Sequence, residues 1–76
     1  MMKYVIRLTV EYLPEKVYLG TSDDVQGLVV QADSIDNLLI YADDIARILI
    51  EDQTGEAPAR DGISIEYHQV PYVAAA

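Results

Sequence analysis

Two apolar runs flank the segment Ser22-Asp23-Asp24-Val25-Gln26-Gly27-Leu28, and a helix-start signal follows at Ser34. The order that results, strand–strand–turn–strand–helix over residues 3–52, leaves few ways to pack so short a chain. It also sets an acidic tip between two strands.

Residues 3–13 alternate. Tyr4, Ile6, Leu8, Val10 and Tyr12 fall on one side, and Val5, Arg7, Thr9, Glu11 and Leu13 on the other. A period of two with one mostly apolar face predicts a half-buried strand. Pro14-Glu15-Lys16 breaks it as a turn, and Val17–Ser22 returns as a short second strand, so residues 3–22 read as a hairpin. Residues 23–27 form a loop, and Leu28–Ala32 a third strand. Ser34 is a good N-cap, and Asp36 places a carboxylate at the positive end of the helix dipole. The helix is expected to run to about Asp52. Its core stripe is Ile35, Leu38, Leu39, Ala42, Ile45, Ala46 and Leu49. Ile40, Ile48 and Ile50 lie beside or opposite that stripe, more apolar surface than one sheet covers, which points to self-association through these three residues. Residues 53–62, with Gly55, Pro58 and Gly62, read as a loop, and Ile63–Tyr67 as a fourth strand, with His68 just after it.

The predicted fold is therefore α+β, in the order β-β-β-α-β: a mostly antiparallel sheet with one helix on one face. The opposite face would show Arg7, Thr9, Glu11, Ser64 and Glu66 to water. Residues 1–70 form a single domain and 71–76 a tail.

The core of a 76-residue chain supplies only ~3–5 kcal/mol of net stability without reinforcement. With no cysteine, disulfides and thiolate metal sites are excluded. Oligomerisation or a partner is then the expected source of added stability. Thirteen acids against five bases give a net charge of −8. Between Asp23 and Asp52 there are eight acids and one base, Arg47. Such a surface repels phosphate backbones and argues against direct nucleic-acid binding. It suits a basic partner, and equally it serves solubility. No apolar run reaches the ~18–20 residues of a membrane span, and the N-terminus lacks signal-peptide anatomy, so cytoplasmic residence is the expectation.

Catalytic raw material is limited to paired carboxylates. Asp23-Asp24 and Asp43-Asp44 lack the spacing of a calcium loop, and adjacent acids on a helix diverge by about 100°. His68 has no activated nucleophile near it in sequence, and the four glycines are isolated, so neither a triad nor a phosphate-cradling loop is expected. The six tyrosines suit half-buried packing or a protein interface better than base stacking, since the bases that attract nucleic acid are missing. No enzyme activity, cofactor or metal is expected.

The ordered set Asp24-Val25-Gln26-Gly27, then Leu28-Val29-Val30-Gln31-Ala32-Asp33, then Ser34-Ile35-Asp36-Asn37-Leu38 resembles the HicB-like antitoxin domain, over residues 3–52 with Ile63–Tyr67 as the final strand. It is similar to short stand-alone bacterial versions of that domain. Gln26 stands where the family usually has proline, and Asn37 where it has an acid that would complete a capping box. The resemblance implies a partly degraded ribonuclease H fold that binds rather than cleaves. It implies a module that caps a small basic RNA-cleaving toxin of the HicA type and blocks its catalytic histidine and RNA surface, with Asp23, Asp24, Asp43 and Asp44 as contact residues. Nine residues follow Tyr67, too few for the C-terminal DNA-binding module that many relatives carry. The alternative is a stand-alone homo-oligomeric interaction domain.

Overall fold

The computed structural model describes residues 3–71. Four strands and one helix follow in the order β1 (Tyr4–Tyr12), β2 (Tyr18–Thr21), β3 (Val29–Ala32), α1 (Ile35–Thr54) and β4 (Ile63–Gln69). They form the expected α+β, β-β-β-α-β arrangement: one sheet in the spatial order β3-β2-β1-β4, with α1 on one face. The pairings β1–β2 and β2–β3 are antiparallel, and β1–β4 is parallel. The parallel pairing follows from chain direction. β3 runs the same way as β1, α1 carries the chain back, and β4 enters beside β1 in β1's own direction.

The hairpin turns through Pro14-Glu15-Lys16. Leu13 accepts from the Lys16 N–H at 2.9 Å, and the Leu13 N–H donates to Val17 at 2.8 Å. Lys16 has φ of 68°, the left-handed conformation that ends a three-residue hairpin loop. α1 starts as its sequence signals. The Ser34 hydroxyl accepts from the Asn37 N–H at 3.1 Å, and the Asn37 side chain reaches back to Asp33 at 3.1 Å. It stops at Gly55, whose φ of 81° suits a residue without a Cβ and whose N–H donates to Glu51 at 2.8 Å.

The core lies between α1 and the sheet. Ile6, Leu8 and Val10 of β1 meet Val30 and Ala32 of β3, with Val25 and Leu28 closing the loop end. From the helix the buried residues are Leu38, Ala42, Ala46 and Ile50, a row in steps of four. The two alanines let the helix axis approach the strands closely. This row corrects the expected stripe at two places. Ile45 lies round the side of the helix and is 38% exposed, whereas Ile50 is 4% exposed and belongs to the core. Ile50 is therefore not available for self-association. The fourth strand also runs two residues further than expected, so His68 lies within β4 rather than after it. Of the expected tail, residues 72–76 lie outside the described residues.

Candidate functional site

Two surfaces carry the chain's candidate functional residues: the sheet face away from α1, and the outer side of α1.

On the open sheet face Arg7, Glu11, Gln31, Ser64 and Glu66 are exposed and Thr9 is half-buried. Its organising contact is Asp24. The loop leaving β2 continues along the N-terminal half of β1, beyond the last β1–β2 pair at Thr9↔Thr21. There the Asp24 Oδ2 accepts the backbone N–H of Arg7 at 2.8 Å. The same carboxylate takes the guanidinium, with Nε to Oδ2 at 3.3 Å and Nη2 to Oδ1 at 3.2 Å. Ser22 positions the loop by accepting the Asp24 N–H on its Oγ at 3.1 Å, and Val25, 4% exposed, anchors it in the core. Hydrogen bonds from Arg7 hold the Asp24 carboxyl below the usual carboxylate range, and the same contact raises Arg7.

The other expected pair sits on α1. Asp43 accepts from the Arg47 Nε at 3.2 Å, one helical turn on, while Asp44 is exposed. Arg47 does more than offset charge. Its Nη1 donates to the Ala59 carbonyl at 3.0 Å and its Nη2 to the Arg60 carbonyl at 2.6 Å, tying the helix to the segment before β4. Gln53, in the last turn, ties the helix instead to the loop between β2 and β3, donating to the Gln26 carbonyl at 2.9 Å. Neither strap was foreseen from sequence. A long polar side chain bonding a distant backbone carbonyl leaves no periodicity behind it.

The two acidic pairs thus stand on separate elements, and among the described residues no group of three or more His, Asp or Glu comes together to hold a metal ion. Asp24 and Asp43 are engaged within the chain, while Asp23 and Asp44 project to solvent.

The outer side of α1 also carries a cluster of exposed apolar side chains. Ile48 is 63% exposed, Ile40 56% and Tyr41 47%, with Ile45 beside them. Asp44 lies among these residues, and the exposed Glu51 and Asp52 follow in the last turns. The described tyrosines do not gather into one platform. Tyr4 and Tyr18 pack against the core, and Tyr12 meets Tyr18 across the hairpin with ring centroids 4.8 Å apart.

No described helix is long and apolar enough to cross a membrane. The fold and its surfaces define a small acidic α+β domain, one helix on a four-stranded mixed sheet, with an exposed apolar helix face. Residues 3–69 match the family described as a domain of unknown function, DUF1902, and the chain belongs to that family. No curated protein and no solved structure matches it.

Proposed function

We propose that this chain is a protein-binding module of the antitoxin type, which caps the active site of a small basic RNA-cleaving toxin in the cytoplasm. The observation that carries the reading is the outer side of α1, where Ile40, Tyr41 and Ile48 stand exposed around Asp44 and ahead of Glu51 and Asp52. Large apolar side chains clustered in water and bordered by one sign of charge favour docking to a protein surface of the opposite sign. A second copy fits this face poorly, because its own Asp44, Glu51 and Asp52 would meet like charges. A basic partner neutralises them and buries the isoleucines. The HicB-like order of elements supports the same reading, as does the net charge of −8.

The test is capture from native cells at low salt, followed by a cleavage assay on whatever small basic protein is recovered. A partner released by salt, whose RNA cleavage falls as this chain is added in equimolar amount, supports the module. Recovery of no such protein, or of one whose cleavage is unaffected, overturns it. The contact residues are best tested with Asp23→Lys and Asp44→Lys. Asp24→Lys would also break the Arg7 clamp, confounding binding with folding.

A further inference from the structure

The open edge of β4 carries a separate inference. β4 has β1 on one side and no strand on the other among the described residues. It is seven residues long and regular, without proline or lysine, the devices that usually protect an exposed edge. The opposite edge strand, β3, has four residues.

The hydrogen-bond parity of β4 is fixed at both ends. The Gly62 carbonyl accepts from the Tyr4 N–H at 2.7 Å, and the Val70 N–H donates to the Val10 carbonyl at 2.8 Å. Even-numbered residues of β4 therefore face β1. The N–H and C=O groups of Ile63, Ile65, Tyr67 and Gln69 point outward, an unused half-ladder. Charge then discriminates between registers. A two-fold axis through Glu66 would set that carboxylate against its own copy. An axis through Tyr67 makes Tyr67 and Ile65/Gln69 the hydrogen-bonded pairs. It also brings Glu66 opposite His68 of the second copy as the closer, non-hydrogen-bonded pair, twice by symmetry. The flanking charged groups on β1 are Arg7, in register with Glu66 and already held by Asp24, and Glu11. The edge is otherwise nearly uncharged, since Glu66 is the one acid in β4 of the chain's thirteen. Tyr67 shares the helix-side face with Leu8, yet it is 45% exposed because α1 does not cover it. A second tyrosine beside it would.

We propose that two copies of this chain pair antiparallel through β4, about a two-fold axis at Tyr67 with Glu66 facing His68 of the second copy, to form a continuous eight-stranded sheet with both helices on one side. This leaves the outer face of α1 uncovered in each copy and does not depend on the toxin reading.

Sedimentation equilibrium on the full chain over micromolar concentrations tests it. The wild type is expected to dimerise. Tyr67→Pro, which removes an N–H that points away from β1, should yield a folded monomer by circular dichroism. His68→Glu should weaken the dimer about tenfold by setting like charges opposite one another twice. Because the chain has no cysteine, Tyr67→Cys should cross-link to itself under mild oxidation. Ile65→Cys should not, its two copies lying about 14 Å apart along the strand in this register. A monomeric wild type overturns the dimer. A dimer that keeps its affinity in His68→Glu, or that cross-links through residue 65 and not 67, overturns the register.

Discussion

Asp24 does for β1 what a neighbouring strand would do: its carboxylate accepts the Arg7 backbone N–H at 2.8 Å, at a point where β2 has already ended. Left without a partner, that N–H would weaken the N-terminal half of β1. The guanidinium of the same arginine then closes over the carboxylate. One side chain thus ends the ladder and fastens the loop that leads to β3.

Removing this contact should act with a defined pH dependence. The Asp24 carboxyl titrates below its unfolded value, so its contribution is fully present above the ordinary carboxylate range and is lost as pH falls through the depressed folded value. Asp24→Ala should lower the urea midpoint near neutral pH, and the gap to wild type should close only in the acid limb. Asp24→Asn keeps an acceptor for the Arg7 N–H while losing the ion pair, so it should fall between the two. Urea titrations from neutral pH into acid check both. A gap that stays constant through the acid limb would rule out the carboxylate as its source.

Much of this architecture was legible in the sequence, and the reasons are local. The alternation of Tyr4–Tyr12, the Ser34 cap and the breaks at Pro14 and Gly55 each act over a few residues, so β1, α1 and the hairpin could be read directly. The parallel docking of β4 and the clamp from Asp24 to Arg7 join residues far apart in the chain, and no period marks them. Asp24 could be singled out as acidic but not as the cap of a strand. Ile50 was misplaced because α1 buries a four-residue row, which drifts round the helix and takes in Ile50 while turning Ile45 outward.

The hairpin carries a correctable strain. Lys16 holds φ at 68°, where a Cβ crowds the backbone. Lys16→Gly removes the clash but adds freedom to the unfolded chain, so the net gain should be about 0.5–1 kcal/mol. A higher melting temperature by calorimetry, with an unchanged heat-capacity step, is the expected result.

Gly20 presents the opposite case. It is buried on the helix side of β2, and a Cβ there would stand 3.1 Å from both the Leu8 Cδ2 and the Val30 Cγ2. Gly20→Val must displace two core side chains in neighbouring strands. The expected cost is about 1–3 kcal/mol, despite the better strand propensity of valine. Chemical denaturation should show a lower midpoint with little change in slope.

Ile48 and Ile50 are two residues apart on α1 and should respond to substitution in opposite ways. Ile50 is 4% exposed in the row that faces the sheet, and Ile48 is 63% exposed on the other side. Ile50→Ala opens a cavity in a small core and should cost about 2–5 kcal/mol, enough to leave a domain of this size partly unfolded. Ile48→Ala should change stability by no more than about 0.5 kcal/mol. If the outer face of α1 docks a basic partner, Ile48→Ala should lower affinity for that partner while leaving the unfolding curve in place, because its area is buried only in the complex. Denaturation and binding measured on the same two variants separate the roles. Ile48→Ala binding as tightly as wild type would remove the outer helix face from the interface.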